Sequence, residues 1–458
     1  MKYVSTRGAS PAISFEDVLI SGPAPDGGLY VPETWPTFDA TRIRNKPGAT
    51  YADLAAAVVA LFAGSPDWYR DIDKHAHEAY AKWDDKRVAP LVPFGEHRWL
   101  LELFHGPTLA FKDFALQLLA PLMNEALKRR NQRALVLAAT SGDTGAAAVA
   151  ALANQPNIDL VVLHPKGRIS DVQRRQMTTT TASNIRNVAI EGTFDDAQSL
   201  VKQVFADQAF ARDHRLAAIN SINWVRIAAQ AAYYISTSIA LDKKALTFAV
   251  PTGNFGDVFA GYVAKQLGAP IRRLIVATNA NDILARAITT GNYARGQVHA
   301  TMSPAMDIQV ASNFERLLYE SSGRDAAQIK RQMESFAATG TLKLAPDALA
   351  KIQTLFAADR VDEAETAATI RLMHRDAKLL VDPHTAVALT ATRKAAPDED
   401  TVVLATAHPA KFPDAVEKAA GVKPELPERL RWILTAPERY DTLPNDLAAL
   451  KHHLAAKR

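Results

Sequence analysis

The stretch Leu246-Thr-Phe-Ala-Val-Pro-Thr-Gly-Asn-Phe-Gly-Asp-Val-Phe-Ala-Gly-Tyr262 decides the fold. Its first five residues form an apolar run rich in strand-forming side chains. A loop of small and polar residues follows (Pro251 to Asp257), and then a helix-like segment from Val258 to Leu267. The same order recurs three times. Ala134–Ala139 leads into Thr140-Ser-Gly-Asp-Thr-Gly145 and the alanine-rich stretch Ala146 to Ala153. Thr401–Ala405 leads into Thr406-Ala-His-Pro-Ala-Lys-Phe412 and Asp414 to Ala420. The run Trp99 to Phe104 leads into His105-Gly-Pro-Thr-Leu-Ala-Phe-Lys112 and a long helix from Asp113 to Arg130. Short apolar strands feeding polar loops and helices predict an α/β fold with parallel, helix-covered sheets. In such sheets the loops beyond the carboxyl ends of the strands line the ligand crevice.

Each of these loops carries chemistry. Lys112 falls at the start of a helix, where the backbone dipole is positive and burial is expected. Both effects favour the neutral, nucleophilic amine. The small residues of Gly253 to Gly256 let backbone N–H groups approach an anion at a helix amino-terminus. Asp257 is expected to turn away from such an anion and cap the Val258 helix. Asp143-Thr144-Gly145 is also the triplet of aspartic proteases, but those enzymes need two such aspartates sharing a proton. No second D-T-G or D-S-G occurs in the chain, so that reading is discarded. His408 and Lys411 are candidates for binding a substrate phosphate, weighed for Lys411 against a solvated loop lysine. The histidines show no metal-ligand spacing, and no metal is expected. The pair His452-His453 is read as a solvated tail.

Composition removes several classes. The chain has 458 residues and is long enough for more than one domain. Cysteine is absent, which excludes disulfides, thiol catalysis and cysteine-bound zinc. The formal net charge is +4 with the basic residues scattered, so no nucleic-acid partner is expected. The longest apolar run, Leu54 to Ala63, falls short of the ~20 residues a membrane helix needs. The start Met1-Lys-Tyr-Val-Ser-Thr-Arg7 lacks an apolar signal core, so a soluble, cytoplasmic protein is expected. Residues 1–95 read as an amino-terminal module with a helix from Tyr51 to Ala63, and 96–425 as the catalytic region in two α/β subdomains. Residues 426–458 read as a tail packing on the core. Within the catalytic region, 325 to 380 is charged, alanine-rich and expected to be helical.

The runs HGPTLAFKDFALQ, ATSGDTGAAA, PTGNFGDVFAGY, MDIQVASNFERLLYE (Met306 to Glu320) and ATAHPAKFPDAV, taken in order, resemble threonine synthase, in its longer bacterial and fungal branch. Asp26-Gly-Gly-Leu-Tyr-Val-Pro32 resembles the family's opening and Pro437-Glu-Arg-Tyr440 its close, so the likeness covers nearly the whole chain. The resemblance implies the second fold type of pyridoxal-phosphate enzymes, the tryptophan synthase β-like type, with an added amino-terminal module. It implies that Lys112 carries pyridoxal 5′-phosphate and that Gly253, Asn254, Phe255, Gly256 and Asp257 hold its phosphate. Thr406 is implied as the partner of the pyridine nitrogen. Thr140, Ser141, Gly142 and Thr144 correspond to a loop that binds the substrate carboxylate, with Asp143 beside the cofactor's phenolic oxygen. Asn313 and Arg316 are weighed as site residues against an amphipathic helix burying Phe314, Leu317 and Leu318. The expected reaction is conversion of O-phosphohomoserine and water to threonine and phosphate by a monomeric enzyme. Two rivals stand beside it: a phospho-lyase on the same scaffold that leaves a keto acid, and a non-catalytic binder. No regulatory domain for S-adenosylmethionine is evident.

Overall fold

The structure, a computed structural model, describes residues 1–455 except Asn220 and Pro397. Two sheets organise it. The larger has six strands in the order Phe356–Arg360, Ile271–Thr278, Leu246–Pro251, Thr401–Ala405, Arg98–Glu102, Leu91–Gly95. Its neighbours pair in parallel except the last two, which are antiparallel. The second sheet has five parallel strands in the order Asp441–Pro444, Ile185–Glu191, Ile158–Pro165, Ala134–Ala139, Leu216–Ala217. All four expected strands are present, but they divide between the sheets. Three lie side by side in the larger one, while Ala134–Ala139 belongs to the smaller. Hydrophobic patterning marks a strand without naming its partner, and Thr401 pairs with residues more than 150 positions away.

Every residue of Leu246–Pro251 and of Thr401–Ala405 is buried. Both faces are covered, as expected of a parallel sheet walled by helices. Successive side chains alternate between the two layers. Phe248, Val250, Leu274, Val276, Val402 and Leu404 enter one apolar cluster, together with helices Lys112–Arg129 and Trp224–Leu241. Ala249, Ile275, Ala277 and Val403 enter another, with Ala386 to Leu389 of helix Pro383–Ala395.

The amino-terminal strands Ile13–Ser14, Lys2–Ser5 and Tyr30–Pro32 form a small antiparallel sheet. The expected helix Tyr51–Ala63 begins at a reciprocal cap between Thr50 and Asp53 and stops at Gly64, in the left-handed region at φ 64°. It packs against helix Trp224–Leu241.

Two expectations are corrected. Residues 325 to 380 are not wholly helical: strands Thr341–Lys343 and Phe356–Arg360 interrupt them. The second strand completes the edge of the larger sheet beside Ile271–Thr278, and pairing there overrides the helical preference of its alanines. His452-His453 is not a solvated tail. The pair lies on helix Leu447–Ala455, whose Leu450 and Leu454 are buried against the smaller sheet. His452 is exposed, whereas His453 is half-buried with its Nε2 3.8 Å from Asp441.

Candidate active site

Loops from both sheets meet at one pocket. It is lined by Phe111 and Lys112, by Asp143 and Thr144, by the run Pro251 to Asp257, and by Thr406 and Ala407. Ser221, Arg226, Gln230, Ala305, Met306 and His384 complete the wall.

Lys112 is the first residue of helix Lys112–Arg129, and no side chain caps that end. Its Nζ lies 3.5 Å from Asp143 Oδ2 and 4.6 Å from the centre of the Phe111 ring. Burial lowers the pKa of this amine; Asp143 opposes the shift, and the positive charges of Lys411 and Arg226 reinforce it. Lys112 therefore has a larger free-amine fraction at neutral pH than an ordinary lysine.

Gly253 sits against the neighbouring segment. A Cβ there would stand 2.4 Å from the Ala305 carbonyl oxygen. The helix Gly256–Gln266 then opens with no side-chain cap, so its first N–H groups are left for a ligand. Phe255 turns the loop at φ 64°, a left-handed conformation costly for a non-glycine residue. Its buried ring, 5.3 Å from Phe314 and 5.8 Å from Phe356, holds it there. Asn313 fastens the loop from behind: its Nδ2 donates to the carbonyls of Asn254 at 3.0 Å and Ser221 at 3.1 Å.

Asp257 does not cap its helix, contrary to the sequence expectation. As the second helical residue it points back into the core, where its Oδ1 accepts from the hydroxyls of Tyr233 and Tyr234 and its Oδ2 has no partner. Burial pushes this carboxyl up to about 6, against the two tyrosine hydrogen bonds and Lys112.

The other expected residues divide. Thr406 follows strand Thr401–Ala405 directly and faces the pocket. Asp143 and Thr144 line it, but Thr140, Ser141 and Gly142 do not. The Thr140 hydroxyl oxygen instead accepts from the N–H groups of Gly142 and Gly145 at 3.0 and 2.8 Å, which shapes the turn. Lys411 is neither a solvated loop lysine nor a pocket residue. It is fully buried behind Asp143, with Nζ 3.1 Å from that carboxylate. His408 also lies outside the pocket wall. Its Nδ1 accepts the Ala410 N–H, and burial, helped by His105, drives its imidazole down to about 4. Burial raises the Asp143 carboxyl, but Lys411, Lys112 and the Gln173 amide outweigh it and hold the group well below the usual carboxylate range. Arg316 is fully buried and braces helix Phe314–Ser321, donating to the carbonyls of Tyr30 and Ile222. Phe314, Leu317 and Leu318 are buried as the amphipathic reading expects.

Sequence reading missed Arg226 and His384. Arg226 is the one charged residue of helix Trp224–Leu241. It is buried in the pocket wall, and its Nε and Nη1 have no hydrogen-bond partner. Burial lowers its guanidinium to about 10. A lone arginine in an otherwise uncharged 18-residue helix was the available signal: buried charges need a counter-charge, and none stands beside it in sequence. His384 donates Nδ1–H to Asp382 at 2.6 Å, and its Nε2 accepts the Ala305 N–H at 3.2 Å. It thus steadies the segment that abuts Gly253.

A nucleophilic amine, an uncapped helix start and an unpaired buried guanidinium in one cleft define a site for a phosphorylated carbonyl compound and a second anionic group. The family model described as pyridoxal-phosphate dependent enzyme matches residues 90–407. Models for the threonine synthase N terminus and C-terminal region match residues 2–80 and 385–454. The chain is 46% identical over 456 residues to threonine synthase of Pseudomonas aeruginosa, a match covering 98% of this chain and 97% of that one. The pyridoxal-phosphate-bound threonine synthase of Brucella melitensis superposes with a TM-score of 0.96 at 46% identity, over 99% of this chain and 98% of that one. The yeast threonine synthase gives 0.93 at 36% identity, over 100% and 98%. The chain belongs to the threonine synthase family.

Proposed function

We propose that this protein binds pyridoxal 5′-phosphate through Lys112 and converts O-phosphohomoserine and water to threonine and phosphate. The observation that carries the reading is the meeting of three features in one pocket: the Lys112 amine, the uncapped start of helix Gly256–Gln266, and the unpartnered guanidinium of Arg226. These residues fit the cofactor. The N–H groups beyond Gly253 suit a phosphate dianion, and the space a Cβ would otherwise contest is kept by glycine. Thr406 is assigned to the ring nitrogen; a hydroxyl there does not keep that nitrogen protonated as a carboxylate would. Pyridoxal phosphate held by these residues would supply an electron sink for removal of protons from the substrate's carbons.

The rest is supplied by the chain. Lys112 is the base placed to take and return protons at the substrate's carbons, and its lowered pKa suits that task at neutral pH. Arg226 and Ser221 are assigned to the substrate's phosphate, since a charge-assisted bond to an anion satisfies the guanidinium that the protein leaves unpaired. Holding amine and substrate in one cleft can supply roughly 7–11 kcal/mol of the barrier. The test is Lys112→Ala. It should abolish threonine formation and the visible absorption of chain-bound cofactor together, and full activity in the variant overturns the reading. Production of 2-oxobutyrate in place of threonine by the parent protein would establish elimination instead.

A further inference from the structure

Lys411 has no exposed surface, yet its amine reaches neither solvent nor pocket. It donates to the Thr108 carbonyl at 2.7 Å and to Gln176 Oε1 at 2.9 Å, and stands 3.1 Å from Asp143 Oδ1. The other oxygen of the same carboxylate is 3.5 Å from Lys112 Nζ. Two amines therefore share one carboxylate inside the protein. Gln173 Nε2 donates to Asp143 Oδ1 at 2.9 Å, which fixes the carboxylate's orientation. Burying an amine costs free energy that an apolar side chain would not, so its presence calls for a reason other than packing.

The asymmetry supplies one. Lys411 has three oxygen acceptors around it, whereas Lys112 has one ion-pair contact and a pocket in front of it. The charged and titratable groups that face Lys112 are Asp143 from helix Asp143–Leu152, Lys411 from the turn Pro409–Lys411, Arg226 from helix Trp224–Leu241 and Asp257 from helix Gly256–Gln266; His384 stands in the same wall. Asp143 alone would hold Lys112 as an ammonium ion and quench it as a nucleophile. A second cation on that carboxylate weakens the hold.

We propose that Lys411 is a positioning residue that occupies the inner oxygen of Asp143, so that the outer oxygen orients the Lys112 amine without keeping it protonated. The proposal rests on Lys112 being the reacting amine. It assigns Lys411 to the tuning of that amine and not to the substrate.

The experiment is competitive acetylation of the cofactor-free chain with acetic anhydride across a pH series. Peptide-resolved mass spectrometry gives the ionisation midpoint of Lys112 by itself. K411Q keeps a donor for the Thr108 carbonyl but loses the charge. It should move the Lys112 midpoint up by about one pH unit, leaving roughly tenfold less free amine at a given pH. D143N should move it down, and K411R, which retains the charge, should leave it near the parent value. An unmoved midpoint in K411Q, or a rise in K411R equal to that in K411Q, overturns the proposal. Should K411Q fail to fold, D143N decides alone, because a midpoint that does not fall removes the shared carboxylate from the argument. Threonine formation by K112A would defeat the underlying reading separately.

Discussion

Replacing Arg226 with methionine should separate stability from function. Arg226 is buried in the pocket wall, with Nε and Nη1 unpartnered, and burial has lowered it to about 10. That displacement corresponds to about 3 kcal/mol of unfavourable burial in the ligand-free fold. Methionine has similar reach, fills irregular space readily and carries no charge to desolvate. The ligand-free chain should therefore gain about 1–3 kcal/mol in unfolding free energy, as when buried charges give way to apolar side chains. The substrate side moves oppositely. Loss of hydrogen bonds to a charged phosphate costs about 2–3 kcal/mol, roughly 30- to 150-fold in kcat/KM for O-phosphohomoserine. Urea unfolding of the cofactor-free protein measures the first quantity, and steady-state kinetics the second. Inhibition by inorganic phosphate should weaken in parallel. A variant less stable than the parent with kcat/KM unchanged would refute the reasoning, because Arg226 would then be a structural brace with partners of its own.

Three further outcomes are expected. Gly253→Ala places a Cβ 2.4 Å from the Ala305 carbonyl, so the loop must shift; pyridoxal phosphate affinity by equilibrium dialysis should fall at least about tenfold, since phosphate contacts depend on that backbone, and unchanged affinity would show the loop is not the cradle. Asp257 titrates at about 6 in the fold against an ordinary 3.8, so its contribution to stability is full below 3.8 and is lost as pH rises through 6. Asp257→Asn should thus match the parent at pH 4 and exceed it by up to about 3 kcal/mol at pH 8 in denaturation experiments; a variant less stable at pH 8 contradicts this. His408, driven down to about 4, behaves in the reverse sense: its contribution is full above 6.5 and is lost as pH falls toward 4. His408→Asn should flatten the parent's acid destabilisation in that window, and an unchanged slope would move its origin elsewhere.

Much of the site was legible because its chemistry is local. The spacing of Lys112 from a helix start, the glycines at 253 and 256, and Thr406 at a strand end are all features of contiguous segments. What sequence reading mistook depended on neighbours distant in the chain. Asp257 was expected to cap because it stands next to a helix start, yet two tyrosine hydroxyls from helix Trp224–Leu241 draw it inward. Lys411 was expected at a substrate phosphate because its loop follows a strand end, yet the Thr108 carbonyl and Gln176 enclose it. Arg226 was passed over because no motif marks its segment, and only the assembled wall shows that its guanidinium faces a cavity.

By itself the sequence determined the α/β class, the strands Ala134–Ala139, Leu246–Pro251 and Thr401–Ala405 to within a residue, and the resemblance to threonine synthase. Periodicity, turn residues and helix signals act over a few positions, and a chain carries them wherever it goes. Tertiary structure alone decided that Thr401–Ala405 lies between Leu246–Pro251 and Arg98–Glu102, that Ala134–Ala139 belongs to another sheet, and that one carboxylate serves two lysines. Those outcomes depend on burial and on charges meeting across hundreds of residues, and the energy of such meetings exists only once the chain has closed on itself.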